Sequence, residues 1–114
     1  MMEHALNVMV CHPVERWYVE RCDLECRNRK TSELKSALLE YDGSLLRCSP
    51  DDFLLHVDNI VRRLNFEYNR HNELRVMMPR LGNVYQLRFY ALDRTGGMGL
   101  VGSMTLRPVL KVIG

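Results

Sequence analysis

The sequence lacks the long apolar stretches that carry a chain into a membrane. No hydrophobic stretch approaches the roughly 18 residues that a spanning helix needs. Residues 5–11 are too few for the apolar core of a secretory signal, and Glu3 and His4 stand where such a signal has basic residues. These absences predict a cytoplasmic protein without a membrane partner, located in a host's cytoplasm if a virus or phage encodes it.

The chain also has little that could hold a metal or a cofactor. Three residues separate Cys22 from Cys26, and Cys11, His12 and Cys48 could complete a zinc shell. There is, however, no second closely spaced pair, and reduced cysteines are common in protein cores. We therefore expect no cofactor and no metal site, with a small zinc-binding protein as the second alternative.

No group of residues indicates catalysis. A nucleophile needs a base within reach, but Cys11 and His12 are adjacent and would face opposite sides of a strand. The stretch Thr95-Gly96-Gly97 lacks the following helix and the Lys-Ser/Thr end of a phosphate-binding loop, so it indicates a hairpin turn. The sequence thus predicts a protein that is not an enzyme.

What is present is typical of one small globular domain, which we expect to span residues 1–114. The 114 residues are 46% hydrophobic and 26% charged, and a chain of this length can bury a single core. The clearest element is a helix from about 50 to about 69. Ser49 is a suitable N-cap, Pro50 suits the first helical position, and Asp51 and Asp52 complement the positive end of the helix dipole.

A second, shorter helix and several strands complete the expected fold. Thr31 or Ser32 can cap the shorter helix. Residues 16–26 are ambiguous: a strand, which we favour, would place Tyr18, Cys22, Leu24 and Cys26 on one side, whereas a helix would group Trp17, Arg21 and Leu24. Further strands are expected at residues 5–11, 44–48, 74–78, 84–92, 100–106 and 109–113, with Pro108 separating the last two. These elements predict an α+β fold: an antiparallel β-sheet with two α-helices packed on one face.

The long helix has apolar residues on both of its sides. At 100° per residue, Phe53, Val57, Ile60, Val61, Leu64 and Tyr68 form the stripe that should face the core. Five residues lie toward the opposite side: Leu55, Asn59, Arg62, Phe66 and Arg70. Two apolar side chains that flank an arginine resemble the anchors of a protein interface. They would serve no such purpose if another layer of the same chain covered them.

The basic residues are unusually rich in arginine, although the net charge is only +2. Thirteen of the 16 basic residues are arginine, whose planar guanidinium suits carboxylates, phosphates and aromatic rings. Arg75, Arg88 and Tyr90 fall on two expected strands, where they could contact phosphates and stack on bases.

We therefore expect a small cytoplasmic protein that acts by protein–protein interaction, as an adaptor, an inhibitor or an assembly component. Its partner would be another protein or a second copy of itself, which would make it a homodimer. The first alternative is RNA or single-stranded DNA binding through an arginine- and tyrosine-bearing sheet face. No motif identifies a family.

Overall fold

The fold is a sheet with helices on one side. The structure is a computed structural model that describes residues 14–68 and 72–111. In chain order its elements are β1 (Val14–Leu24), α1 (Arg29–Leu39), β2 (Leu45–Leu46), α2 (Pro50–Glu67), β3 (Glu73–Met77), β4 (Arg80–Leu81), β5 (Val84–Leu92) and β6 (Met98–Leu110). The strand order is β2-β1-β6-β5-β3, with β4 beside β5, and every pair is antiparallel. The predicted α+β fold is confirmed. Neither helix is long and apolar enough to cross a bilayer.

The long helix α2 begins as its sequence predicts. The Ser49 side chain accepts a hydrogen bond from the backbone N–H of Asp52 (3.2 Å), and Pro50 occupies the first turn. The helix ends at Glu67, and Tyr68 is its C-cap. The expected end near residue 69 is therefore close to the observed one.

The shorter helix α1 begins earlier than expected, because Asn28 and not Thr31 or Ser32 is its N-cap. The Asn28 side chain accepts a hydrogen bond from the Thr31 N–H, and the Thr31 hydroxyl accepts one from the Asn28 N–H, both at 2.9 Å. Thr31 is thus the third helical residue of a capping box. An asparagine caps a helix as well as a serine or threonine does, so the sequence left the start ambiguous.

The core lies between the two helices and one face of the sheet. Its strand residues include Val19, Leu87, Phe89, Met104 and Leu106, and its helix residues are Leu34, Leu38, Phe53, Val57, Val61 and Leu64. Each large side chain removed from water stabilises the fold by about 1.5–3 kcal/mol. At Gly102 the neighbouring β1 backbone comes so close that a Cβ would lie 2.2 Å from the Asp23 carbonyl oxygen, so no larger residue fits there.

The strand β1 does not alternate regularly, which corrects the expected grouping of Tyr18 with Cys22 and Leu24. Val19 pairs with Leu106 and Cys22 pairs with Met104, and the register shifts between Val19 and Arg21. An extra residue at such a bulge reverses the side on which later side chains lie. Cys22 and Leu24 therefore face the helices, whereas Tyr18 lies on the open face.

The strand β6 continues through Pro108, contrary to the expected separation. Pro108 pairs with Trp17, and Leu110 pairs with Val14. Because β5 pairs with β6 only as far as Leu106, no strand of the described part lies on the other side at Pro108. Prolines are tolerated at such edge positions. The expected strand of residues 5–11 lies outside the described residues.

Candidate functional site

The apolar residues on the outer side of α2 are exposed. Leu55 and Phe66 leave 60% and 80% of their surface accessible, whereas Phe53 on the core side of the same helix is 2% exposed. Leu55 and Phe66 lie about 16 Å apart along the helix axis. The helix therefore presents two separated apolar side chains that the described part of the chain leaves largely uncovered.

The polar residues predicted beside them have different environments. The Arg62 guanidinium forms an ion pair with Asp58 one turn earlier (Nε to Oδ2, 2.8 Å), and its side chain is exposed. Asn59 is exposed as well. Arg70 lies outside the described residues. The charge of Arg62 is thus balanced locally.

A groove runs between α2 and the edge strand β3, which we call the α2–β3 groove. It consists of three adjoining concavities, the largest of about 450 Å³. This one is lined by Asp51, Asp52, Leu54, Leu55, Asp58 and Val76. The other two, each of about 260 Å³, are lined by residues that include Arg62, Asn65, Phe66 and Glu73. Leu55 and Phe66 therefore mark the two ends of one groove, and Asn59 does not line it.

The side chain of Asn65 joins the two walls of the groove. Its Oδ1 accepts a hydrogen bond from the Leu74 N–H (2.9 Å), and its Nδ2 donates one to the Leu74 carbonyl (2.8 Å). Lys30 of α1 donates a third bond to Oδ1 (3.2 Å). Burial lowers the pKa of this lysine, and the nearby Glu73 carboxylate opposes that effect. The three bonds fix α1, α2 and β3 relative to one another.

The groove carries more negative than positive charge. Its lining residues include the acidic Asp51, Asp52, Asp58 and Glu73 and the basic Arg62 and Arg75, the last at the edge of the sheet. Asp58 and Glu73 are paired with the two arginines, at 2.8 Å and 3.4 Å. The remaining negative charge, that of Asp51 and Asp52, lies beside the apolar concavity of Leu54, Leu55 and Val76. This end of the groove is therefore both apolar and negatively charged.

The three residues predicted to contact nucleic acid lie on the sheet face that the helices leave open. Arg75 pairs across the strands with Tyr90, and Arg88 pairs with Met77. The arginines of this face have polar partners: Arg88 donates to Gln86 (2.8 Å), and Arg75 is paired with Glu73. Further ion pairs on this face join Arg21 to Asp23 and Arg107 to Glu20. The open face is therefore mixed in charge rather than uniformly basic.

The cysteines do not come together in the described part of the chain. Cys22 is half-buried against the helices, where burial, together with Asp42, raises the pKa of its thiol to about 11. Cys26 and Cys48 are exposed. Within residues 14–68 and 72–111, no group of three or more histidine, cysteine or acidic side chains is placed to hold a metal ion. Cys11 and His12 lie outside these residues.

The histidine of α2 belongs to an aromatic cluster. His56 Nε2 lies 2.7 Å from the Tyr41 hydroxyl. The Tyr41 ring packs edge-on against Phe53, with the ring centroids 5.2 Å apart. No carboxylate or thiol of the described residues is hydrogen-bonded to this His–Tyr pair. The cluster closes one side of the core around Phe53.

Sequence reasoning missed three lining residues, two of them on α2 and one on β3, because it considered only the side of α2 directly opposite its core stripe. Leu54, Asn65 and Val76 belong to the lining, and none of them was singled out. One feature of the sequence could have indicated Asn65: it is a polar residue next to the apolar stripe, near the end of the helix. Its partner Leu74 could not be found without the position of β3. Comparison with family models, curated proteins and solved structures finds no match to this chain.

Proposed function

We propose that this protein is a non-catalytic binding module that docks another protein along the α2–β3 groove. The observation that carries the proposal is the exposure of Leu55 and Phe66, at 60% and 80%, at the two ends of one groove. Large apolar side chains at the ends of a concave surface are suitable anchors for a partner. The same partner would contact Arg62 between them.

The surroundings of the groove support this proposal. The wall residue Asn65 is fixed by three hydrogen bonds, so the groove is formed before a partner arrives. A preformed surface loses less conformational freedom on binding than a mobile one. We further propose a cytoplasmic setting, in which exposed thiols such as those of Cys26 and Cys48 remain reduced.

The proposal is tested by quantitative affinity purification with cross-linking. The bait is the full chain, compared with the double variant Leu55→Ala/Phe66→Ala. A matched control, Met98→Ala/Leu100→Ala, removes two side chains of similar exposure, 50% and 54%, from the open face. We expect specific partners to be lost with the groove variant and kept with the control.

Arg62→Glu should weaken the same complexes, because it reverses the charge between the two anchors. Identical partner sets for all baits would contradict a docking role of the groove. Multi-angle light scattering of the purified chain identifies the special case in which the partner is a second copy. In that case the groove variant should be monomeric.

A second candidate function is the binding of single-stranded nucleic acid by the open face. The supporting observation is that Arg75 lies directly across from Tyr90, with Arg88 on the same face. Fluorescence polarisation with a mixed-sequence oligonucleotide at low salt tests it, since binding through phosphates weakens steeply as salt rises. A lack of binding at low salt would exclude it.

A further inference from the structure

Within the described residues, the outer edge of β3 has backbone groups without a partner. β3 is the last strand of the sheet, and it pairs with β5 in regular register from Glu73 to Met77. In an antiparallel pair, alternate residues direct both the N–H and the C=O away from the partner strand. Leu74 is one of them, because Asn65 binds both of its groups. Val76, two residues later, is therefore the next.

By this alternation the backbone N–H and C=O of Val76 face the same outer edge as those of Leu74, beside the α2–β3 groove. Val76 lines two of its three concavities, and neither group has a hydrogen-bond partner among the described residues. Exposed edge groups of this kind are a template for pairing with another strand. As far as residues 14–68 and 72–111 show, the edge is closed at Leu74 and open at Val76.

Asn65 shows what chemistry this edge accepts. Its carboxamide has the N–H and C=O of a peptide group, and it binds Leu74 with the two bonds that a residue of a neighbouring strand would make. Asn65 already occupies the β3 edge at Leu74. The stretch of groove from Leu55 to Asn65, about 15 Å along the helix axis, matches about four extended residues at 3.3 Å each. An extended peptide can therefore lie along it.

We propose that the partner contributes an extended segment that adds to the sheet as a further strand beside β3, hydrogen-bonded to Val76. One of its apolar side chains occupies the concavity of Leu54, Leu55 and Val76, and a lysine or arginine next to it approaches Asp51 and Asp52. This inference rests on the proposed function, which it deepens by naming the form and the charge of the partner segment.

The first experiment selects heptapeptides from a random displayed library with the full chain as bait. The affinity of the selected peptides is then measured for the wild type and for two variants in which Val76 is replaced. Val76→Pro removes the outward N–H but no bond to β5, so the sheet should persist, whereas Val76→Ala keeps the N–H and loses the side chain. We expect Val76→Pro to weaken binding about tenfold more than Val76→Ala does, the effect of one lost hydrogen bond.

A second measurement keeps the wild-type protein and so does not depend on the folding of Val76→Pro. Methylation of successive peptide nitrogens should abolish binding at one position only, that of the N–H that bonds to the Val76 carbonyl, because Leu74 is already bonded to Asn65. Hydrogen exchange of the Val76 amide should slow at least tenfold when the peptide is bound. Slow exchange in the free protein would overturn the proposal, since the edge would then already be paired.

The outcomes separate the two proposals. Peptides that lose binding with Leu55→Ala/Phe66→Ala, yet tolerate Val76→Pro and every N-methylation, would overturn strand addition and leave the docking groove intact. Selected peptides that bind Leu55→Ala/Phe66→Ala as tightly as the wild type would overturn both the docking groove and strand addition. Recovery of acidic peptides, or unchanged binding to Asp51→Asn/Asp52→Asn, would overturn the assignment of a basic segment.

Discussion

The two sides of α2 carry similar side chains in opposite environments. On the inner side Phe53 is 2% exposed and packs against Tyr41, whereas Phe66 near the other end of the helix is 80% exposed. The inner side stabilises the fold through burial, which is the main favourable term in folding. The outer side is left largely uncovered by the described residues, so it contributes little to their burial. One helix thus separates residues that hold the protein together from residues that we propose hold a partner.

The sharpest test of this comparison replaces each phenylalanine in turn. Phe53→Ala should lower the free energy of unfolding by about 3–5 kcal/mol, because it empties a filled core position. Phe66→Ala should change it by less than about 0.5 kcal/mol. Urea unfolding followed by circular dichroism measures both.

Equal losses of stability in the two variants would contradict the comparison. Phe66 would then be covered in solution, either by residues outside the described part of the chain or by a second copy. Light scattering distinguishes these cases, because a covering copy doubles the mass and its effect depends on protein concentration.

The sequence predicted well those features that depend on neighbouring residues. The start of α2 follows from Ser49 and Pro50, and the buried stripe of Phe53, Val57 and Leu64 follows from the 3.6-residue period. The same period showed that Leu55 and Phe66 lie away from this stripe. Local chemistry decides caps and faces, so a single sequence is sufficient for them.

Features that depend on distant segments were not predictable. The bulge at Glu20 is visible only from the register of β1 against β6, and the tolerance of Pro108 depends on where β5 begins. The groove forms because β3 is the edge strand beside α2. The order of the strands along the chain does not determine which strand lies at the edge. Asn65 therefore appeared to be one more polar helix residue.

The contrast between covered and uncovered sides extends to the cysteines. The pKa of the Cys22 thiol is raised from the ordinary value of 9.0 to about 11. Near neutral pH, the fraction of Cys22 present as thiolate is therefore about one-hundredth of that of a thiol with the ordinary pKa. Iodoacetamide at about pH 8 should therefore modify Cys22 much more slowly than the exposed Cys26 and Cys48. Peptide mass spectrometry after timed quenching measures each site. Rapid labelling of Cys22 in the folded protein would contradict its burial against the helices.

Asn65 and Asn59 give a matched pair on α2, because Asn65 lines the groove and Asn59 does not. Asn65→Ala leaves the part-buried N–H and C=O of Leu74 without their partners, so it should cost about 2 kcal/mol of stability. Asn59→Ala changes an exposed residue and should have an effect below about 0.5 kcal/mol. Thermal unfolding of the two variants checks the difference. Similar melting temperatures would show that the Asn65 bonds do not hold β3 to the helix.

The smallest effect is expected far from both sides of α2, at the turn between β5 and β6. The Asp93 carboxylate accepts hydrogen bonds from the Thr95 hydroxyl and the Gly97 N–H, both at 2.7 Å, and these bonds lower the pKa of Asp93 below its ordinary value. A carboxyl whose pKa is lower in the folded state adds stability above its unfolded pKa and loses it as the pH falls through the folded pKa. Asp93→Asn should therefore melt slightly below the wild type at neutral pH, with a difference that vanishes toward about pH 2. Melting curves across this range test it, and a constant difference would show that the charge of Asp93 does not support the turn.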